Sequence, residues 1–382
     1  MRILIIGAGI AGLTLAALLK QRGIHPVVIE KASSLGSVGY MLGLYPTGAN
    51  VLRAIHKYDH YLAHSVAGNQ YEAYSDKGVL LSKLSFAPIV KQYGAYQLIS
   101  RYELLNIIHQ ACGELDLRFN TELLAIEQES EMVSVTFTNG QQEKFDLVVG
   151  ADGLHSCVRS LIWSKDEHQD YHTGWGGWVW WCENNVSPEN TIQEFWGKGN
   201  FFGAYPVQGK IGVIAVVDSP TAEDALKGMS RKAYLEKKFA HLWKRKPEFF
   251  SELPNDDQPV FFWSLNDQMV STWHKHRVVL LGDSAIAFLP TAGIGASMAL
   301  ESAAALDDIL SRTDPHFIPA ALAQFEKRRK KRVEKAQKAS RGLAKLMFTN
   351  SPWRAWLRNY ITKHMSAESL IRTIIQGFDD PI

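Results

Sequence analysis

Cysteine is scarce in this chain. Only Cys112, Cys157 and Cys182 occur, with no CxxC pair among them, which excludes a disulfide framework and points to a reducing, cytoplasmic compartment. No apolar run is long enough for an integral membrane segment, and none follows Met1-Arg2 with a cleavage site behind it, so a signal peptide is not expected. There is no excess of one charge: the net charge is +2, which argues against a dedicated nucleic-acid partner. The thirteen histidines are scattered, with His274 and His276 an i, i+2 pair, so no metal site is expected. GxSxG is absent, and with it the nucleophile elbow of a serine hydrolase. Internal repeats and low-complexity tracts are also missing. The remaining composition, 46% hydrophobic and 21% charged, is that of an ordinary globular protein large enough for two or three units.

What the chain does have begins at its start. An apolar run, Ile3 to Ile6, meets Gly7-Ala8-Gly9-Ile10-Ala11-Gly12; a helix pattern runs on to about Gln21, and a second apolar run, Pro26 to Ile29, ends on Glu30. This is a strand, a glycine turn, a helix, a strand and an acid. Gly7 permits the turn, Gly9 lets the backbone approach a pyrophosphate, and Gly12 lets helix and strand pack closely. The helix N-terminus, at Ile10 and Ala11, offers free N–H groups to phosphates, and Glu30, with Lys31 beside it, is placed for an adenosine ribose. The motif predicts dinucleotide binding and leaves NAD(P) and FAD both open.

A glycine-spaced loop spans 35–40, and Pro46 leads into a short helix ending near Lys57. Residues 71–99 alternate as strands with turns at 76–78 and around Pro88. Ser100 and Glu103 have the spacing of a capping box for a helix that opens with Arg101. Val133 to Phe137 and Phe145 to Val149, joined through Asn139-Gly140, predict a hairpin with a type I′ turn. Tryptophan, phenylalanine and tyrosine then crowd 175–205, a strand runs from Ile211 to Val217, and 221–250 is a charged helical segment. We expect most of these aromatics to pack on a twisted sheet and a few to face a pocket. A small-residue helix is expected from about Gly295 to Leu310, packed on a sheet. Glu326 to Arg341 carries nine Lys or Arg and two Glu, which reads as a solvated helix face. After the break at Asn350-Ser351-Pro352 a shorter amphipathic helix with Trp353 and Trp356 is expected to dock back on the protein.

Two further glycine–acid turns resolve the dinucleotide question: Gly150-Ala151-Asp152-Gly153 running on to Arg159, and Gly282-Asp283 running on through Pro290-Thr291-Ala292-Gly293-Ile294-Gly295. With the first motif, and at these positions, the chain resembles over essentially its whole length the class A FAD-dependent aromatic hydroxylases, typified by p-hydroxybenzoate hydroxylase. The resemblance implies an α/β fold in which a Rossmann-like FAD-binding domain (1–70, 98–165 and 272–317) carries an inserted, mostly β substrate domain (71–97 and 166–271) and a C-terminal helical segment (318–382). It implies that Gly7, Gly9 and Gly12 hold the FAD pyrophosphate and Glu30 the ribose, and that Arg101 contacts the pyrophosphate and ribityl region. It further implies that the Leu123 backbone contacts adenine, that Asp152 and Arg159 serve FAD and NAD(P)H, and that Asp283 bonds the ribityl chain. Pro290, Gly293 and Gly295 would lie near the isoalloxazine, where the helix dipole offsets charge on the reduced ring. No side chain is assigned as catalytic.

The implied activity is a monooxygenase that uses NAD(P)H and O2 to insert one oxygen atom, through a flavin C4a-hydroperoxide, into a hydrophobic aromatic or polyketide substrate. The implied form is a monomer or homodimer. Two departures stand out: Ile286 occupies a position where many relatives carry histidine, and 36–48 lacks the arginine found in several aromatic hydroxylases. The alternatives are epoxidation, halogenation or reduction on the same scaffold, or a non-catalytic FAD-binding module. Trp178-Val179-Trp180 matches only the first half of the halogenase signature.

Overall fold

A computed structural model describes residues 1–36, 39–183 and 190–365. Ser37 and Val38 of the expected loop, and the end of the expected C-terminal segment from 366, lie outside the described residues. Two large sheets organise the chain. The first has six strands in the spatial order 274–275, 278–280, 147–150, 3–6, 27–29, 116–118. All its pairings are parallel except the short hairpin at 274–280. Its central strands read Ile-Leu-Ile-Ile and Leu-Val-Val-Gly and are buried throughout, as a parallel sheet covered on both faces requires.

The second sheet has seven strands in the order 261–270, 168–183, 210–217, 200–207, 191–196, 70–75, 80–85. Every pairing is antiparallel except that of 191–196 with 70–75. Side chains alternate across it. Trp178, Trp180, Phe195 and Phe202 join Phe239, Phe249 and Phe250 in one cluster on the outer face. Val179, Trp196, Ile214 and Val216 belong to another cluster on the inner face. The period-two strand geometry thus divides the aromatics between core and cavity.

Several local expectations need correction. The hairpin strand opposite Val133–Phe137 is Gln142–Phe145, while Leu147–Gly150 belongs to the parallel sheet. The reason is that 147–150 is apolar on both faces and 142–145 is not. The turn is not type I′: Gly140 has positive φ (84°) and Asn139 does not, with Gly140 N–H donating to the Phe137 carbonyl, the pattern of a type I turn followed by a left-handed glycine. Around Pro88 the chain forms a helix, Ala87–Tyr93, with proline in its first turn. The charged 221–250 stretch breaks into the helices Ala222–Leu226, Arg231–Lys238 and Ala240–Arg245, followed by a 3-10 turn at Pro247–Phe250.

The helix Gly295–Leu310 packs mainly on other helices, Ile10–Gln21, Pro46–Ala54 and the long helix Ile318–Met347, and touches the strand Met41–Leu44 of a small sheet. Its small residues permit this close approach; a Cβ on Gly48 would lie 2.6 Å from the Ser297 Cα. Side-chain contacts pin the long helix along its length. Glu326 takes the Trp273 N–H and pairs with His274, and Arg329 reaches Glu301. Gln337 donates to the Gln268 and Ala287 carbonyls, and Arg341 pairs with the buried Asp267. The last described helix, Pro352–His364, docks through Ala355, Arg358 and Thr362, with Arg358 donating to the Trp196, Gly197 and Met347 carbonyls. Its Trp353 and Trp356 remain exposed, at 64% and 62%, so the docking face is not the tryptophan face.

Candidate flavin and substrate site

The glycine turn is fixed by contacts with the Gly150–Gly153 bend. Gly7 has φ +103°, and a Cβ there would lie 2.4 Å from the Ala151 carbonyl oxygen; only glycine fits both demands. A Cβ on Gly12 would lie 2.0 Å from the Gly7 carbonyl oxygen, so the helix rides directly on the loop. Gly9 meets nothing nearer than 4.0 Å and lines a cavity. The helix that starts at Ile10 has Gly9 as its N-cap, with no side-chain cap and no acid in its first turn. Its leading N–H groups open onto the cavity beside Ile10 and Ala11.

The other two bends come to the same place. Asp152 accepts from Ser156 Oγ and the Cys157 and Val158 N–H groups, capping the helix Cys157–Ile162, and from Ser284 Oγ at 3.1 Å. Ser284 Oγ in turn accepts the Gly153 N–H at 2.8 Å. Arg159, 6% exposed, ties the carbonyls of Leu154 and Ser284 together. A Cβ on Gly282 would lie 2.9 Å from the Ala11 Cβ. Gly9, Gly153 and Asp283 therefore share one cavity wall, while Asp152 and Arg159 brace that wall from behind.

Glu30 accepts the N–H groups of Ala8 and Ala32, each at 3.0 Å, which holds its carboxylate against the glycine turn. Lys31 is exposed. Leu123 is buried at the start of its strand, its carbonyl accepting the Cys157 thiol; neither Lys31 nor Leu123 lines the cavity. Arg101 follows Ser100, whose Oγ accepts the Glu103 N–H. Its guanidinium lies 6.0 Å from the centre of the Tyr40 ring. Asp283 exposes its carboxyl to the cavity, where the surrounding protein, by partly desolvating it, pushes it up to about 6 against the pull of Arg101. Ile286 is 1% exposed in the core and faces away from the cavity.

The cavity encloses about 750 Å³. It passes Pro290, Gly293 and Gly295 and ends on the inner face of the seven-stranded sheet, at Tyr71, Val179, Ile192, Glu194, Trp196 and Tyr205. The helix Gly295–Leu310 also begins without a side-chain cap or a first-turn acid. Two long helices thus turn uncapped N-termini toward one elongated cavity, a donor set suited to a dinucleotide at one end and an electron-rich ring at the other.

The FAD binding domain family model matches residues 1–340. The chain belongs to that family. This flavoprotein is 30% identical over 350 residues to 3-amino-4-hydroxybenzoate 2-monooxygenase PtnB3 of Streptomyces platensis, covering 89% of this chain and 87% of the relative. It is 26% identical over 374 residues to aurachin C monooxygenase/isomerase of Stigmatella aurantiaca, covering 96% and 94%. Klebsiella pneumoniae HpxO, solved with FAD and uric acid, has the same fold, with a TM-score of 0.87 and 24% identity over 98% of this chain and 96% of that one. The chain is an FAD-dependent monooxygenase.

Sequence reasoning missed two features of the flavoprotein's site. Tyr45 donates to the Ala292 carbonyl at 3.2 Å, linking the Pro290–Gly295 segment to the far end of the cavity. Glu194 stands among aromatics on that far wall; its one sequence signal is an acid at an inward position between Ile192 and Trp196. Among the described residues His60, His64 and Glu103 have the spacing of a metal-binding group, but none of them lines the cavity.

Proposed function

We propose that this monooxygenase hydroxylates a hydrophobic, ring-bearing small molecule, aromatic or polyketide, lodged between Pro290–Gly295 and the inner face of the seven-stranded sheet. One observation carries the reading: a single cavity runs from the glycine turn, past two uncapped helix N-termini, to a wall of aromatic and aliphatic side chains around Glu194. The relatives' names add support, since 3-amino-4-hydroxybenzoate and aurachin C are substrates named for proteins with the same cofactor domain.

In this reading Gly7, Gly9, Ile10, Ala11 and Gly12 hold the pyrophosphate, Glu30 and Lys31 flank the ribose, and the Leu123 backbone faces the adenine. Arg101 and Asp283 hold the middle of the cofactor, and Asp152 and Arg159 act by ordering the turns around it. Bound FAD supplies the redox chemistry, taking reducing equivalents from NAD(P)H and activating O2. The helix start at Gly295 directs N–H dipoles at negative charge on the reduced ring. Val179, Ile192 and Ile214 exclude water from the far end, so that reactive oxygen meets the substrate rather than solvent. The reading includes a cytoplasmic enzyme acting as a monomer or homodimer, in keeping with three unpaired cysteines.

The test is NADPH and NADH oxidation by the FAD-loaded protein across a panel of ring compounds, with ¹⁸O2 supplied. Substrate-stimulated oxidation that yields a product carrying one ¹⁸O atom is expected. Oxidation that no compound accelerates, or a product with no added oxygen, would overturn the reading.

A further inference from the structure

Glu194 lies on the strand Thr191–Trp196 and is 7% exposed. Its Oε2 accepts from the Tyr71 hydroxyl at 2.6 Å and the Trp196 indole N–H at 3.0 Å, and its Oε1 accepts from the Tyr205 hydroxyl at 2.9 Å. Among the described residues no Lys, Arg or His pairs with it. Burial pushes its carboxyl up, and the three donors oppose that push. Burial and the neighbouring carboxylate also keep Tyr71 and Tyr205 protonated far above their ordinary range.

Each tyrosine has one proton, and each has committed it to Glu194. What Tyr71, Tyr205 and Glu194 can still offer a ligand is lone pairs, and Oε1, with a single partner among the described residues, has an open acceptor position. Ala73, Val179, Ile192 and Ile214 line the cavity together with the hydroxyl-bearing Tyr45, Ser82 and Tyr96.

We propose that Glu194, whose carboxyl group accepts from three protein donors, selects a substrate ring that presents an N–H donor to its Oε1. The inference rests on the substrate end assigned above. A ring carbonyl, ether oxygen or carboxylate placed there would meet lone pairs. A ring N–H is donor-only and leaves nothing unpaired. Its hydrogen bond to a buried carboxylate is of the charge-assisted kind and favours it over an oxygen isostere by roughly 10- to 100-fold.

The experiment titrates the full-length, FAD-loaded protein with two isosteric pairs, indole against benzofuran and 4-quinolone against chromone. Binding is read from the perturbation of flavin absorbance and turnover from NADPH oxidation. The N–H member of each pair is expected to bind roughly 10- to 100-fold more tightly, and Glu194→Gln, with its FAD content confirmed, is expected to lose most of that preference. Tyr205→Phe, which leaves the carboxylate in place, should keep it. Equal binding of the two members to the wild-type protein overturns the proposal, as does a preference undiminished in FAD-loaded Glu194→Gln. If that variant cannot hold FAD, the wild-type comparison and Tyr205→Phe decide. Failure of every ring compound to perturb the flavin or to speed oxidation would instead sink the functional reading itself, and this proposal with it.

Discussion

The ion cluster between Gly295–Leu310 and the long helix makes the strongest stability prediction. Glu301 and Arg329 are both 0% exposed. Glu301 accepts from Arg329 at 3.0 Å and from Arg332 at 3.0 and 3.2 Å. Glu301→Gln preserves the shape but removes the only carboxylate that Arg329 reaches among the described residues, leaving it a neutral amide oxygen, Ser302 Oγ at 3.4 Å and Met298 Sδ at 3.9 Å. Stranding a buried charge in this way costs about 3–5 kcal/mol. The helix that loosens begins at Gly295 beside the cavity, so FAD retention should fall along with stability. Urea denaturation followed by tryptophan fluorescence, with released FAD measured in parallel, reads both effects. Replacing the whole group (Glu301→Leu, Arg329→Met and Arg332→Leu together) should recover most of the loss, because no charge is then left unpaired. A Glu301→Gln protein within about 1 kcal/mol of wild type would refute the argument.

Gly12→Ala should yield protein purified largely without FAD, since its Cβ would sit 2.0 Å from the Gly7 carbonyl oxygen. Gly9→Ala, with nothing inside 4.0 Å, should retain more, and the ratio of flavin to protein absorbance compares the two. Glu326 is half-buried, which pushes its carboxyl up, but His274, the Trp273 N–H and Lys330 together bring it down to about 2. A folded value below the unfolded one of about 4.3 stabilises the protein above that pH, and the benefit fades as pH falls toward 2. Wild type should therefore exceed Glu326→Gln by about 2–3 kcal/mol at pH 7, with the two converging near pH 2–3 in equilibrium denaturation.

Features decided by local chemistry were legible in the sequence. The strand, turn and helix at 3–21, the Ser100 cap and the start of the Gly295 helix each depend on a few adjacent residues whose backbone demands are specific. Features decided by distant partners were not. Whether 142–145 or 147–149 pairs with 133–137 depends on the parallel sheet that claims Leu147–Gly150. Likewise, Ser297 and its small neighbours meet a helix because Gly48, some 250 residues earlier, leaves room for it. The candidate site divides along the same line. Its glycines and Asp283 belong to turns that can be read locally, whereas Glu194 gains its meaning from Tyr71 and Tyr205 on two other strands. The acid in Asp152 was visible, but its commitment to capping the Cys157–Ile162 helix follows from how that bend closes.

The long helix Ile318–Met347 acts as a strut about 45 Å long. One end is bolted to the six-stranded sheet through Glu326 and the other to the seven-stranded sheet through Arg341 and Asp267. A rod fastened to both jaws fixes the gauge of the gap between them. The range of molecules admitted is then governed by which side chains project into the gap, and a single inward substitution on the sheet should retune it without any hinge having to move.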